Sequence, residues 1–402
     1  MSKVEGKKLG DILNLKRGYD LPSYEREDGL YPIFSSSGIS GYHSQYKADG
    51  EGVVIGRYGT LGEPYYVNGK YWPHNTSLYV TDFKGNSPKY VYYLLKCLGD
   101  IKTSDKSTVP GVNRNELHEM SVPFVTTRKQ QDKIAAVLSV LDAKIELNNR
   151  INAELESLAK TIYDYWFVQF DFPFDFAQGK PSADGKPYKS SGGEMVYVQE
   201  GKGERAIPAG WEVKKLREFA NTASGGTPLS TKSEYYEKGD IAWINSGEVN
   251  NRYITEANNF ITHAGLDNSS AKLFEPNTLL VAMYGATAGK VSLLQIHACT
   301  NQAICAITPN SIIYNNFLKF ALDDLYKHLI NLSTGSARDN LSQDIIKNLK
   351  FTLPEENLLI RFNKVVNPII SKILVNQREN QQLTQLRDWL LPMLMNGQVS
   401  IK

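Results

Sequence analysis

The chain predicts a mixed α/β (α+β) fold with a pseudo-twofold internal repeat: two similar globular domains, each followed by a long helix, with the two helices paired on one another. Three observations carry this reading. The first is length, because 402 residues at about 150 per domain is too much for one compact fold. The second is a repeat. Residues 144 to 162 read KIELNNRINAELESLAKTI and residues 372 to 390 read KILVNQRENQQLTQLRDWL, so that Lys144, Ile145, Asn148, Arg150, Asn152, Leu155 and Leu158 recur as Lys372, Ile373, Asn376, Arg378, Asn380, Leu383 and Leu386. The third is that short apolar runs bounded by Gly and Asn, the signature of buried strands, precede each copy.

Residues 1–127 form the first globule. Val53 to Ile55 and Ser77 to Val80 read as strands, and Pro88 to Leu98 reads as a helix by apolar spacing. Residues 128–168 form the first long helix. With Ile134 at position a of a heptad, Leu141, Asn148, Leu155 and Ile162 follow at a, and Val137, Lys144, Ile151, Leu158 and Tyr165 fall at d. Residues 169–207, dense in Gly, Pro and Ser, read as a linker whose Phe170, Phe172, Phe174 and Phe176 could pin it along a domain surface.

Residues 208–353 form the second globule, with strands at Leu279 to Ala282 and Ala303 to Ile307 and a helix at Asn315 to Ile330. Its anchors parallel those of the first: Gly225 matches Gly18, INSG (244 to 247) matches FSSSG (34 to 38), LLVAMYGATAG matches VVIGRYGTLG, and Asn301 stands opposite Asn75. Residues 354–402 hold the second long helix, with Phe362, Ile369, Asn376, Leu383 and Leu390 at a, and Val365, Lys372, Glu379, Leu386 and Met393 at d. Pro368 should kink it or delay its start. An Asn at the same a position in each copy, Asn148 and Asn376 paired, would fix register, since other pairings leave its amide unsatisfied. Two helices packed separately on their own globules are the alternative. Between the anchors the sequences differ almost completely, which predicts one scaffold used twice with different surface loops.

Composition narrows the function. The 45 basic and 43 acidic residues leave a net charge of +2, so binding through bulk charge is excluded and any polyanion must be met by local clusters. No run approaches the roughly 18 apolar residues of a membrane span. The charged opening MSKVEGKKLGD predicts no secretory signal, and Cys97, Cys299 and Cys305, without a Cys-x-x-Cys pair, predict reduced thiols; the expected location is the cytoplasm.

Catalytic signatures are missing. Gly285, Gly289 and Lys290 only superficially resemble a phosphate loop, because the first Gly is one residue too close and Val291 stands where Ser or Thr should hold magnesium. His297, Cys299 and Cys305 lack a fourth zinc ligand, so no metal site is expected. Glu5 to Lys7 and Glu212 to Lys214 lack the preceding Pro-Asp of a common nuclease core. The chain is expected to make and break no bonds.

Two variable globules, each followed by a copy of one long helix, resemble the specificity subunit of type I restriction-modification systems. The residues that carry the likeness are Lys8 to Asp11, Tyr58-Gly59, Tyr284-Gly285, Gly225-Gly226-Thr227-Pro228, the helix of residues 141 to 167, PYKSSGGEMV (187 to 196) and IPAGWEVKKL (207 to 216). One departure is Lys16-Arg17-Gly18-Tyr19, where the second globule has Gly-Gly-Thr-Pro.

The resemblance implies two target-recognition domains, each reading one half of a split sequence in double-stranded DNA, and an antiparallel coiled coil that sets the spacing. It implies two methyltransferase (modification) subunits and two restriction/translocase subunits as partners, which hold the S-adenosylmethionine, ATP and magnesium; no cofactor belongs to this chain. A coiled-coil assembly scaffold without sequence readout is the competing reading, and an enzyme with an unrecognised site is a third.

Neither globule is strongly basic, with 15 basic against 14 acidic residues in 1–127 and 13 against 13 in 208–353, so DNA contacts must come from grouped loop side chains. The candidates in the first globule are Lys16, Arg17 and Tyr19; Ser36, Ser37, Tyr42 and His43; Arg57, Tyr58 and Thr60; and Lys106, Ser107 and Arg114. In the second they are Thr227, Lys232, Asn245, Ser246, Asn250, Tyr284, Thr287, Ser336 and Arg338. Asn75 and Asn301 are expected to bond loop backbone, and Gly59 and Gly285 to satisfy backbone geometry.

Overall fold

The structure is a computed structural model and describes residues 4–57, 63–98, 113–200, 203–326, 329 and 341–401. Four of its helices matter most: α1 (Pro88–Cys97), α2 (Arg128–Tyr163), α3 (Asn315–Asp324) and α4 (Glu356–Met395). The chain divides into two compact units, Met1–Leu147 with Glu379–Lys402, and Asn148–Arg378. Both long helices therefore contribute a segment to each unit.

In the first unit a four-stranded antiparallel sheet runs in the order Asn14–Arg17, Ser77–Asp82, Glu51–Gly56, Pro64–Asn68, and a three-stranded sheet in the order Gly38–His43, Tyr31–Ser35, Trp72–Pro73. The strands Glu51–Gly56 and Ser77–Asp82 carry the apolar runs expected of them, buried at Val53, Val54, Ile55, Leu78 and Val80. Pro88 opens α1, where a missing N–H costs nothing. The apolar face of α1 joins Leu9, Ile12, Phe124 and Leu138 in a core completed by Leu391, Leu394 and Met395 of α4.

Gln131, fully buried in the first turn of α2, ties the globule to the helix. Its Oε1 accepts from the Ser87 N–H at 2.9 Å, and its Nε2 donates to the Val125 carbonyl at 2.8 Å and to Asn86 Oδ1 at 2.9 Å. Further along, Arg387 Nη1 donates to Asp142 Oδ1 at 2.8 Å and Lys144 meets Glu379 at 3.1 Å. Partner numbers fall along α4 as they rise along α2, so the helix segments in this unit run antiparallel.

The second unit repeats the plan. Its five-stranded sheet runs Ala220–Ser224, Ile304–Pro309, Leu279–Ala282, Val291–Leu294, Tyr253–Ile254, and its four-stranded sheet Asn259–Ile261, Ile241–Ile244, Ala298–Thr300, Leu273–Phe274. Each unit also pairs the strand before its first short helix with the strand before its long helix: Val4–Lys8 with Ser121–Val125, and Glu212–Lys215 with Lys350–Leu353. The anchors matched in sequence occupy matching places. Tyr31–Ser35 pairs in parallel with Trp72–Pro73, as Ile241–Ile244 does with Ala298–Thr300. Tyr163, Phe167, Phe317, Phe320 and Phe362 interlock in the core of this unit, with ring centres 4.8 to 6.4 Å apart.

Four expectations need correction. The a positions Leu141, Asn148, Leu155, Ile162, Ile369, Asn376, Leu383 and Leu390 are buried or half-buried, but the second line of the seam is Leu138, Ile145, Asn152, Ala159 in α2 and Val366, Ile373, Asn380, Arg387 in α4. The residues placed at d lie one position early, and Val137, Leu158, Tyr165, Val365 and Leu386 are exposed. Apolar side chains stand at both i+3 and i+4 from several a positions, so sequence alone admits two frames and packing chooses.

Asn376 pairs with Asn152, not with Asn148: its Nδ2 donates to Asn152 Oδ1 at 2.8 Å inside the second unit. In an antiparallel pair partner numbers fall along one helix as they rise along the other, so equivalent positions of a repeat do not in general face each other. Pro368 delays nothing, since α4 begins twelve residues earlier and runs unbroken through it. Pro368 is exposed, so water can serve the carbonyl that loses its helical donor.

Finally, the segment after α2 is not a bare linker. Beyond a π-helical turn at Asp164–Val168 it forms a three-stranded sheet (Pro173–Asp175, Lys180–Pro181, Lys186–Pro187) and a hairpin (Met195–Glu200 with Gly203–Pro208). Phe172 stacks on Tyr188 at 4.7 Å and on Trp211 at 5.6 Å, and Phe170 and Phe172 are buried. The stacking partner that fixes the segment, Trp211, lies outside it.

Candidate nucleic-acid interface

In each unit the loop after the first sheet strand crosses the strand that leads to the matched Asn, Asn75 or Asn301, and a glycine makes the crossing possible. A Cβ on Gly18 would collide with the carbonyl oxygens of Pro73 and His74, and one on Gly225 with the Thr300 carbonyl. Only glycine permits that backbone approach. The crossings are bonded alike: Tyr19 N–H donates to the Pro73 carbonyl and Gly226 N–H to the Thr300 carbonyl, both at 2.8 Å. An indole caps each, Trp72 Nε1 donating to the Tyr19 carbonyl at 3.3 Å and Trp243 Nε1 to the Gly226 carbonyl at 3.0 Å. From these matched crossings unmatched loops emerge.

In the first unit the crossing carries a basic and aromatic cluster. Lys16 Nζ lies 3.2 Å from Tyr19 Oη and 5.1 Å from the Tyr19 ring centre. Lys47 Nζ lies 5.7 Å from the same ring and 4.9 Å from that of Trp72. Hydrogen bonds from Tyr79 and then Lys16 hold the Tyr19 phenol below its ordinary pKa, while burial, reinforced by that same Tyr79–Tyr19 bond, pushes Tyr79 up. Arg17 Nε donates to the Asn75 carbonyl at 3.4 Å. Lys70 Nζ sits 4.6 Å from the ring of Tyr46, itself edge-on to Tyr31. Tyr24 and Tyr42 are exposed beyond it.

The expected residues separate by this geometry. Lys16, Arg17, Tyr19, Ser37 and Tyr42 are exposed or half-buried on the loop surface. Ser36 and His43 are buried and already engaged: Ser36 Oγ donates to the Thr76 carbonyl and accepts from the Arg57 N–H, and His43 Nδ1 accepts from the Glu27 N–H at 3.1 Å while its ring stands edge-on to Trp72. These two hold loops in place instead of presenting groups to a ligand. Arg57 is half-buried, and exposed Arg114 lies at the start of the short helix Arg114–Glu119, near His118. Tyr58, Gly59, Thr60, Lys106, Ser107, Ser336 and Arg338 lie outside the described residues.

In the second unit Thr227 Oγ1 donates to Gln302 Oε1 at 2.6 Å, and Lys232 Nζ reaches Tyr235 Oη at 3.0 Å and sits over that ring. Asn250 is exposed. Asn245, by contrast, is an N-cap in a capping box with Glu248, and Thr287 Oγ1 donates to the Ser246 carbonyl at 2.8 Å, so these three residues fasten one loop to another. Tyr284 packs on the core of the unit. Asn301 Oδ1 accepts from the Ala303 N–H, and Gly285 has a φ of 74°, both as expected of turn formers. Burial pushes the thiol of Cys299 up to about 11 and that of Cys305 up to about 12. Sequence reasoning missed Lys47, Lys70 and Trp72. Nothing in the sequence ties them to Tyr19, and only the pairing of Ala48 with Tyr71 brings them to the loops around Tyr19 and Tyr46.

A duplicated α/β globule that keeps its frame and changes its loops defines a protein of two like domains, each with its own loop set. The family model of the "Type I restriction modification DNA specificity domain" matches residues 1–157 and again 208–385, and the chain belongs to that family. It is 28% identical over 343 residues to the type I restriction enzyme HindI specificity subunit of Haemophilus influenzae, covering 74% of this chain and 73% of that one. It is 26% identical over 323 residues to the MjaIX specificity subunit of Methanocaldococcus jannaschii, covering 78% and 69%. Its fold is similar to the crystal structure of a type I restriction-modification S subunit from M. genitalium, with a TM-score of 0.62 at 18% identity, covering 98% and 96% of the two chains. Among the described residues no helix is long and apolar enough to cross a membrane.

Proposed function

We propose that this chain is the noncatalytic DNA-sequence specificity subunit of a type I restriction-modification complex, each globule reading one half of a bipartite target. The observation that carries the reading is the pair of matched crossings at Gly18 and Gly225, one frame presenting two unrelated loop sets. Two heads with different loops suit two different half-sites. The paired helices set the unread interval between them.

The same helices dock the methyltransferase subunits. Exposed aliphatic side chains recur at equivalent positions of the repeat, Val137 with Val365, Leu147 with Val375, and Leu158 with Leu386, which supports two copies of one partner. Outward apolar positions on a helix already paired along another face call for a further layer. In this reading two restriction/translocase subunits join the assembly, S-adenosylmethionine, ATP and magnesium are held by the partners, and the complex works in the cytoplasm.

The test is long-read detection of methylated adenine in host DNA with the gene intact and deleted. A split motif with a fixed interval, methylated only when the gene is intact, is the expected result. A split-motif methylation that persists without the gene refutes the assignment.

A further inference from the structure

We propose that Lys16, Tyr19 and Lys47 form an anchor for one backbone phosphate of the duplex, fixing the first globule on DNA without contributing base preference; this rests on the DNA-reading function proposed above. The argument begins with the Tyr19 hydroxyl. A phenolic oxygen has two lone pairs and one hydrogen. Lys16 Nζ, at 3.2 Å, can only donate, so it takes one lone pair. Tyr79 Oη lies 3.1 Å away, in a bond that either phenol is able to donate. Tyr79 is buried, 6% exposed, and among the described residues Tyr19 Oη is the partner its hydroxyl meets, so the Tyr79 hydrogen goes there and Tyr19 accepts. The Tyr19 hydrogen is then left to point at an acceptor outside the cluster.

Two cations flank that donor. Lys16 and Lys47 lie 5.1 and 5.7 Å from the same ring centre. Among the described residues neither meets a carboxylate, and rings hold them instead, with Trp72 also 4.9 Å from Lys47. The nearby Asp20 carboxylate accepts from Asn75 Nδ2. A ring beneath an ammonium restrains it without neutralising it, so little rotamer freedom remains to be lost on binding. The Lys47 backbone is fixed too, its N–H donating to the Tyr71 carbonyl at 3.0 Å.

Two unneutralised ammonium groups and one outward O–H match a group with several acceptors and a negative charge. A phosphate diester has both. A base edge offers one or two neutral acceptors and would leave an ammonium facing nothing. Phosphate contacts of this kind set register and orientation while carrying no sequence information.

The test uses the complex copurified from its host through the tagged full-length chain, with K16Q, K47Q, the double substitution or Y19F. Affinity is measured for a duplex carrying the methylated motif and for the same duplex with one half-site scrambled, from about 50 to about 200 mM salt. The double substitution should lower the slope of log affinity against log salt by about 0.9, the share of one phosphate, and each single substitution by a part of that. Affinity for both duplexes should fall by the same factor, leaving their ratio and the methylated motif unchanged. Y19F should weaken both duplexes with the slope kept. Slopes and affinities equal to the wild type overturn the anchor, as does a changed base preference with the slope kept. A wild-type complex that binds both duplexes equally instead sinks the DNA-reading function, while the lysine slopes still decide the anchor.

Discussion

Gln131→Ala should detach the start of α2 from the first globule. The fully buried amide makes three hydrogen bonds, and two of them end on buried backbone groups, the Ser87 N–H and the Val125 carbonyl. Each group left without a partner costs about 1–3 kcal/mol, and the substitution supplies no apolar surface in return, so a loss of about 3–5 kcal/mol is expected. Because the chain folds as two units, a single melting curve would blend two transitions. Hydrogen exchange followed by mass spectrometry reads the first unit alone. At 1.4 kcal/mol per factor of ten, peptides covering Ser87–Leu95 and Ser121–Val125 should exchange about a hundredfold faster or more, with peptides of Leu279–Ala282 unchanged. Rates within about threefold of wild type in the first unit would refute the assignment of Gln131 as the tie between globule and helix.

Three further outcomes are expected. His118 Nε2 accepts from the Leu15 N–H at 3.0 Å, and burial, with Arg114 and Lys84, holds its pKa below the ordinary 6.5. A histidine lowered in the folded state adds stability that is complete above 6.5 and is lost as pH falls through the folded value, so the protection factor at Leu15, its exchange rate divided into the unstructured rate at the same pH, should fall between pH 7 and 5, and H118Q should abolish that dependence. Replacing both Asn152 and Asn376 by Leu should raise stability while loosening register, whereas either single change, which strands one buried amide, should lower it by about 1–3 kcal/mol relative to the double change; a double-mutant cycle in urea that finds the two effects additive contradicts the pair. Removing one heptad from each long helix shortens it by about 10 Å at 1.5 Å per residue, so the unread interval in the methylated motif should contract by about three base pairs at 3.4 Å each with both half-sites unchanged.

Much of the frame was legible because it obeys local rules. The strands at Val53, Ser77, Leu279 and Ile304 follow from apolar runs between turn formers, and the matched pair Gly18 and Gly225 reports a backbone approach that no other residue allows. The helix repeat was legible as well, but not which of its faces is inward. Val137 beside Leu138, and Leu158 beside Ala159, satisfy two heptad frames equally, and only the bulk of the facing helix decides. The segment after α2 misled through composition, since its order depends on Trp211, beyond its end. Within the loops, sequence pointed to Lys16 and Tyr19 but could not separate Ser36 and His43, whose polar atoms turn inward, from Ser37 and Tyr42, which face water. Lys47 escaped because a lone lysine acquires meaning only from the rings beneath it.

The core of the first unit is finished by Leu391, Leu394 and Met395, and Gln130 Nε2 donates to the Ile401 carbonyl at 3.1 Å. During translation these residues follow Leu147 by more than two hundred positions, a delay of about 10–50 s at roughly 5–20 residues per second. The second unit is one continuous stretch of chain and draws nothing from beyond Arg378. The first unit, although begun earlier, must wait with Ile134 and Leu138 uncovered, so the order of birth and the order of completion are reversed. A chain cut short before Glu379 would carry every residue of the second unit and lack the segment that finishes the first.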